Sequence, residues 1–179
     1  MAQRELSIVL SGFGGQGLLF AGKVIAQAGL LEDRHVSWLP SYGPEMRGGT
    51  ASCSVVLSDE PVGSPLVTAP NVLIAMNQPS IDKFIGEVES GGLVLADSSM
   101  IQDMPTRDDV SIHTVPATNL AYENGFKTLA NIILTGKLFA ETEFCEKQTL
   151  LDAVAKCVPP KKQELLEPNL KALELGMSL

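Results

Sequence analysis

The order of apolar and polar positions near the start of the chain predicts a strand, a helix and a second strand. Residues 6–10 (LSIVL) form a short apolar run that ends in glycines, which is typical of a buried strand. From Gly17 onward, apolar residues recur at spacings of three and four, which predicts a helix. Small residues on that helix, including Gly22 and Gly29, would let it pack closely on a sheet. Residues 35–39 (HVSWL) then predict a second strand, which completes a β-α-β unit.

Short apolar runs continue through the middle of the chain. Four of them predict further strands: TASCSVVLS, NVLIAMN, GLVLADS and VSIHTV. Residues 79–90, between the second and third of these runs, predict a helix with Pro79 in its first turn, where proline is well tolerated.

The last third of the chain is predicted to be helical. We expect Thr118 to cap one long helix over NLAYENGFKTLANIILTGKLFA, weakened at Gly125. Two more helices are expected around residues 147–156 and 161–175. The whole pattern predicts a single α/β domain over residues 1–179, with a Rossmann-like three-layer fold, a mainly parallel sheet and C-terminal helices.

Composition and charge disfavour several classes of function. The 179 residues include 13 basic and 21 acidic ones, and the net charge of −8 argues against nucleic acid or an anionic membrane as a partner. We find no signal peptide and no apolar stretch long enough to span a membrane. The three cysteines are widely spaced without a C-x-x-C pair, so no disulfide framework, zinc site or iron–sulfur cluster is expected in this chain. These features favour a cytoplasmic protein with reduced cysteines.

A glycine-rich turn separates the first predicted strand from the first predicted helix. Gly12, Gly14 and Gly17 have the spacing of a dinucleotide-binding turn, and Gly15 adds a further residue without a Cβ. Such a turn exposes the unpaired amides of a helix N-terminus to phosphate. An NAD site also needs an acidic residue at the end of the second strand, which here reads SWLPSYG. NAD is therefore disfavoured, and a phosphate-bearing ligand, a partner's backbone and a purely structural turn stay open.

A second glycine-rich segment, SYGPEMRGGTA, contains two charged residues. Glu45 and Arg47 are the only charged residues between Val36 and Leu57. The guanidinium of Arg47 could present two parallel donors to a phosphate or a carboxylate. The alternative is that Glu45 and Arg47 pair with each other or simply keep the loop solvated.

Polar residues at the ends of later strands carry weaker indications. Asn77, Asp97 and Thr118 follow apolar strands, where open α/β sheets present ligand contacts, but each also suits a capping role. His35 and His113 have no second histidine or carboxylate at ligand spacing, so we expect no metal site.

Four segments together resemble a known family, in order from residue 6 to residue 138. They are GFGGQG, SYGPEMRGGTASCSVVLSDEPV, PNVLIAMNQPSIDKF and ANIILTGKL. This combination resembles the gamma subunit of thiamine-diphosphate-dependent 2-oxoacid:ferredoxin oxidoreductases, which also occurs as a fused domain of single-chain pyruvate enzymes. Their reaction is the oxidative decarboxylation of a 2-oxoacid with coenzyme A (CoA), giving acyl-CoA, carbon dioxide and reduced ferredoxin.

The resemblance implies a subunit that works without cofactors or catalytic residues of its own. Thiamine diphosphate and [4Fe-4S] clusters would lie on alpha and beta subunits, and on a ferredoxin-like delta subunit where one is present, with ferredoxin as the electron acceptor. The chain would then be a scaffold and a lid, inactive alone. This agrees with its lack of cluster-forming cysteines and of a thiamine-binding pattern.

In the related fused enzymes, the equivalent domain closes over CoA. Carried onto this chain, the resemblance implies six CoA-binding candidates: Gly12, Gly14, Gly15, Gln16, Gly17 and Arg47. SYGPEMRGG resembles the 2-oxoglutarate and branched-chain types, and we favour 2-oxoglutarate as the substrate. Two other hypotheses stay open, namely a stand-alone nucleotide- or NAD-binding module and a structural subunit that binds no ligand.

Overall fold

Six strands form one sheet in the computed structural model, which describes residues 5–41 and 50–179. Segment 42–49, which contains Glu45 and Arg47, lies outside the described residues. The strands are β1 (Leu6–Gly12), β2 (His35–Ser41), β3 (Ala51–Ser58), β4 (Val72–Ala75), β5 (Leu93–Asp97) and β6 (Ser111–Val115). The α-helices are α1 (Leu18–Leu31), α2 (Gln78–Phe84), α3 (Ala117–Glu123), α4 (Ala130–Thr142), α5 (Lys147–Cys157) and α6 (Leu166–Met177). Short 3-10 helices span Ile85–Glu87 and Pro160–Leu165.

The sheet has the order β2-β3-β1-β4-β5-β6, and the predicted mainly parallel arrangement is confirmed. Strands β1, β4, β5 and β6 pair in parallel, whereas β3 runs antiparallel to both β1 and β2. The predicted β-α-β unit therefore has an antiparallel strand inserted between its two strands. The connection from Ser41 to Ala51 is shorter than the dozen or so residues that a parallel crossover needs, so β3 has to fold back beside β2.

Helices cover the two faces of the sheet unequally. On one face, α1, α3, α4, α5 and α6 enclose the larger core cluster, which includes Ile8, Leu10 and Val55. On the other face, α2 covers a smaller cluster that includes Val9 and Leu73. The close packing predicted for α1 is present: a Cβ on Gly22 would lie 2.7 Å from Cys53 Sγ, and one on Gly29 would be 2.5 Å from Leu57 Cδ2.

The long helix predicted after Thr118 is wrong in two respects. It is interrupted, because α3 ends at Glu123 and Gly125 then adopts a left-handed φ of 76° before α4 begins. Thr118 is not the cap, because α3 already begins at Ala117 after Pro116. The Thr118 hydroxyl instead donates to Asp97 Oδ2 at 2.5 Å, which ties α3 to the end of β5. Within the described residues, no helix combines the length and apolar character needed to cross a bilayer.

Candidate functional site

The carboxyl ends of the parallel strands bring the predicted site elements to one edge of the sheet. Gly12 ends β1 beside Ala51 of β3, and Ser11 lies beside Ala75 at the end of β4. Ser41 ends β2 at the same edge, since it pairs with Ser52. The described residues on either side of segment 42–49 therefore lie at the sheet edge that carries the glycine turn. The CoA role predicted for Arg47 stays a prediction, because that residue lies outside the described part of the chain.

The backbone of the turn takes conformations that favour glycine. Gly15 has a φ of 91° and Gly17 a φ of 75°, both in the left-handed region. Gly17 is the N-cap residue of α1, and no side chain caps this helix end. Because the first amides of a helix have no partner within the helix, the turn leaves donors available to an anion or to a carbonyl group.

Gln16, predicted as a ligand-binding residue, directs its side chain into the protein. Its Oε1 accepts a hydrogen bond from Phe13 N at 2.6 Å, and its Nε2 donates to Met76 O at 3.2 Å. The side-chain amide thus closes the turn and ties it to the residue after β4. In this structure Gln16 shapes the site through the backbone, and its contact with a ligand stays a prediction.

Asn131 of α4 is a site residue that the sequence analysis missed. Its Nδ2 donates to Gly17 O at 2.8 Å across a separation of 114 residues, and the residue is 3% exposed. Its buried Oδ1 has no hydrogen-bond partner in the described part of the chain. The available signal was an asparagine in the apolar helix segment ANIILTGKL, where a buried amide needs a specific partner.

Buried polar contacts hold the strand ends beneath the turn. The Ser11 hydroxyl donates to Ala51 O at 3.1 Å, and its Oγ lies 2.9 Å from Ser80 Oγ. Asn77 caps α2 by accepting from Ser80 N at 2.9 Å, which confirms the capping role considered for it. Together these contacts connect β1, β3 and α2 at the edge that carries the glycine turn.

A shallow groove of about 240 Å³ lies directly over the turn. It is lined by Phe13, Gly14, Gly15, Gly17, Leu18, Leu19 and Ala51. Phe13 is 40% exposed, which leaves an aromatic surface beside the open amides of α1. The groove can therefore accept a group that combines an anionic part with an apolar one.

The other polar candidates have roles within the fold. Asp97 accepts hydrogen bonds from the backbone of Ser99 and Thr118, so it acts as a capping residue. His113 Nδ1 lies 3.1 Å from Glu141 Oε1, a carboxylate that sequence spacing did not place beside it. Within residues 5–41 and 50–179, no group of three histidine, cysteine or acidic residues could hold a metal ion.

The cysteines are free thiols inside the protein, as the sequence analysis expected. Cys53, Cys145 and Cys157 are all buried and unpaired. Burial raises the pKa of Cys53 to about 11, partly opposed by a hydrogen bond with Trp38, and it raises the pKa of Cys145 to about 12. These thiols are protonated at neutral pH, which makes them poor nucleophiles and poor cluster ligands.

Comparison with known proteins identifies the family of the chain. Residues 7–179 match the family described as pyruvate ferredoxin/flavodoxin oxidoreductase. A curated relative, the ketoisovalerate oxidoreductase subunit VorA of Methanothermobacter marburgensis, is 43% identical over 174 residues. The match covers 97% of this chain but 36% of the relative, so the chain spans about a third of that protein's length.

Two solved structures share the fold over nearly the whole chain. The gamma subunit of a keto/oxoacid ferredoxin oxidoreductase from Geobacter sulfurreducens is 30% identical with a TM-score of 0.85, over 97% of this chain and 96% of that one. A 2-oxoglutarate:ferredoxin oxidoreductase from Magnetococcus marinus, with 2-oxoglutarate, coenzyme A and succinyl-CoA bound, is 23% identical with a TM-score of 0.86. The match covers 98% of this chain and 31% of the Magnetococcus chain. At 23% identity this likeness shows the fold alone. The chain belongs to the pyruvate ferredoxin/flavodoxin oxidoreductase family, as the resemblance of its glycine-rich loops predicted.

Proposed function

We propose that the chain, acting as one domain over residues 1–179, is the gamma component of a cytoplasmic 2-oxoacid:ferredoxin oxidoreductase. The complex would oxidatively decarboxylate a 2-oxoacid with CoA to acyl-CoA and carbon dioxide, and reduce ferredoxin. The observation that carries the proposal is the uncapped N-terminus of α1 behind an open glycine turn, in a chain that belongs to this family. The chain supplies a scaffold and a lid on the CoA side.

Thiamine diphosphate and the [4Fe-4S] clusters belong, in this proposal, to alpha, beta and ferredoxin-like delta subunits. The donor set of the described residues supports this division, since the three thiols are buried, protonated and far apart in the sequence. No step of the chemistry is therefore assigned to side chains of this chain.

CoA is the ligand proposed for the glycine turn. Amides of α1 would face the nucleotide phosphates, and the apolar surface of Phe13 would lie against a less polar part of the ligand. Gly12, Gly14, Gly15 and Gly17 would permit a close backbone approach. The bound CoA of the Magnetococcus enzyme supports this assignment through the shared fold.

The substrate we propose is 2-oxoglutarate, on the resemblance of the SYGPEMRGG segment to the 2-oxoglutarate type. The 43% identity to a ketoisovalerate oxidoreductase subunit specifically favours a branched-chain 2-oxoacid as the second candidate. Contacts to the 2-oxoacid are expected on other subunits, so this chain does not discriminate between the two.

The test is a reconstitution with the thiamine-binding and ferredoxin-like subunits from the same genome. We expect CoA-dependent reduction of ferredoxin or a viologen by the assembled complex and no turnover by the isolated chain. Parallel assays with 2-oxoglutarate and 2-oxoisovalerate decide the substrate. Turnover by the purified isolated chain, or failure of the chain to assemble with these subunits, would contradict the proposal.

A further inference from the structure

Among the described residues, the groove over the glycine turn offers an anion only backbone donors. Its lining contains glycine, alanine, leucine and phenylalanine, without a charged or polar side chain: Phe13, Gly14, Gly15, Gly17, Leu18, Leu19 and Ala51. The first turn of α1 holds no acidic residue that would repel an anion. The amides of Leu18, Leu19 and Phe20 have no protein partner in the described part of the chain. The attraction of this groove for an anion therefore depends on the direction of these N–H groups.

One peptide unit connects these amides to the interior of the protein. The carbonyl of Gly17 and the amide of Leu18 belong to the same planar trans unit, so they point in opposite directions. The carbonyl accepts hydrogen bonds from Ala21 N at 3.0 Å and from Asn131 Nδ2 at 2.8 Å. The second bond comes from α4, and it holds the peptide plane against rotation at a glycine, which resists rotation least. Asn131 therefore determines where the Leu18 N–H group points.

The Asn131 side chain is unfavourable for the fold considered alone. It is 3% exposed, and its Oδ1 has no hydrogen-bond partner within residues 5–41 and 50–179. A buried acceptor without a partner destabilises the folded state. The Gly17 carbonyl would stay bonded to Ala21 N if the Asn131 amide were absent. The main consequence of the Asn131 bond is therefore at the glycine turn.

We propose that Asn131 is a positioning residue for the ligand of the glycine turn. It directs the Leu18 amide, and with it the start of α1, towards the anionic group without contacting that group, since Asn131 does not line the groove. The inference rests on the proposed function, in which the ligand is CoA and the anionic group is one of its phosphates. Loss of the Asn131 donor then weakens CoA binding and leaves the chemistry on the other subunits unchanged.

Two substitutions remove the donor in different ways, and a second buried asparagine provides the control. Asn131→Asp keeps the shape of the side chain but replaces Nδ2 with an oxygen, and Asn131→Ala removes the whole amide. Asn169→Ala is the matched control. Asn169 is 4% exposed, its Oδ1 also lacks a partner in the described part of the chain, and its Nδ2 donates to Leu165 O at the start of its own helix. The two asparagines thus differ mainly in which carbonyl they hold.

The first measurement is the residual dipolar coupling of the Leu18 N–H group in the isolated, ligand-free chain. This coupling reports the direction of the N–H bond relative to the rest of the protein. We expect it to change in both Asn131 variants, while the coupling of Ile25 in the middle of α1 stays as in the wild type. Asn169→Ala should change neither coupling. An unaltered Leu18 coupling in both Asn131 variants would overturn the inference.

The second measurement is the steady-state kinetics of the assembled complex at varied CoA. We expect the KM for CoA to rise roughly twofold to tenfold in both Asn131 variants, the equivalent of one hydrogen bond. The kcat and the KM for the 2-oxoacid should not change. Asn169→Ala should keep the wild-type KM for CoA even if its melting temperature falls by as much. A wild-type KM for CoA in both Asn131 variants, or the same rise in Asn169→Ala, would contradict the positioning role.

The failure of this inference is distinguishable from the failure of the proposed function. A wild-type complex without CoA-dependent turnover would contradict the proposed function, while the Leu18 coupling of the isolated chain would still decide whether Asn131 directs the amide. If Asn131→Asp does not fold, Asn131→Ala carries the test. Failure of both Asn131 variants to fold beside a folded Asn169→Ala would make Asn131 a structural residue and overturn the inference.

Discussion

At the scale of single residues, the two left-handed glycines of the turn differ in what surrounds them. A Cβ on Gly15 would meet nothing within 4 Å, so only its backbone conformation requires glycine. A Cβ on Gly17 would lie 2.6 Å from Asn131 Nδ2, the atom that bonds to the Gly17 carbonyl. Gly17 is therefore required both by its φ and by the side chain that anchors the helix start.

This difference predicts unequal effects of the same substitution. Gly15→Ala and Gly17→Ala should each lower the free energy of unfolding by about 1–2 kcal/mol, because alanine is strained in the left-handed region. Gly17→Ala should lower the free energy of unfolding by about 1–3 kcal/mol more, because its methyl group displaces the Asn131 amide and leaves buried polar groups unpaired. Urea unfolding of both variants measures this. Adding Asn131→Ala to Gly17→Ala should remove the clash between the new methyl group and the Asn131 side chain. Equal decreases in the free energy of unfolding for Gly15→Ala and Gly17→Ala would refute the argument.

Arg47 is the residue on which the ligand hypothesis can be tested most directly. If its guanidinium bonds to a CoA phosphate, Arg47→Ala in the assembled complex removes a charge-assisted contact worth about 1.5–3 kcal/mol. The KM for CoA should then rise roughly tenfold to a hundredfold. The KM for the 2-oxoacid should not change, and Arg47→Lys should recover part of the loss because it keeps the charge but not the two-pronged geometry.

Steady-state kinetics at varied CoA decide between this role and a structural one. If Arg47 pairs only with Glu45 or a partner subunit, Arg47→Ala impairs assembly instead. The complexes that still form would then show an unchanged KM for CoA.

At the scale of elements, α4 and α6 approach each other so closely that their backbones touch. A Cβ on Gly136 of α4 would overlap the carbonyl oxygen of Leu173 in α6 and lie 3.0 Å from Gly176 Cα. Because the same helix α4 carries Asn131, the position of the α4 axis also determines the contact with the glycine turn. The helix pair thus supports the site without facing it.

Gly136→Ala is therefore expected to destabilise the protein despite the better helix propensity of alanine. Alanine stabilises a helix interior by about 1 kcal/mol relative to glycine. Forcing two packed backbones apart costs about 1–3 kcal/mol or more, so the net effect is destabilising. Gly86→Ala is the control, since a Cβ there would meet nothing within 4 Å. Urea denaturation followed by circular dichroism should show a lower midpoint for Gly136→Ala and little change for Gly86→Ala. A gain in stability for Gly136→Ala would contradict the close crossing of α4 and α6.

At the scale of the whole molecule, the buried thiols predict how stability depends on alkaline pH. Burial raises the pKa values of Cys53 and Cys145 to about 11 and about 12, from an ordinary value of 9.0. The unfolded chain loses these protons first, so the free energy of unfolding should fall as the pH rises from about 9 through 11–12. Urea unfolding between pH 8 and 10.5 measures the slope. Cys145→Ala should make the free energy of unfolding depend less steeply on pH than in the wild type. An unchanged slope would contradict the raised pKa of the Cys145 thiol.

The sequence by itself determined the features that depend on neighbouring residues. The six strands, the helix after Gly17 and the Asn77 cap follow from local periodicity and from glycine, proline and polar positions next to each element. The family resemblance rests on four sequence motifs that match a known family. Such signals act within a few residues, so they can be read without the fold. The prediction of one long helix through Gly125 was wrong for a reason that is also local. A glycine in the left-handed region ends a helix instead of only weakening it.

Only the tertiary structure decided the contacts between distant segments. It inserted β3 antiparallel between β1 and β2, turned the Gln16 amide inward and placed the Asn131 side chain on the Gly17 carbonyl. Strand pairing and amide orientation depend on which surfaces meet after folding, and residues 114 positions apart leave no periodic trace of their contact. The glycine turn was readable in the sequence because its conformation is local, whereas the contacts that hold it depend on the packing of the whole chain.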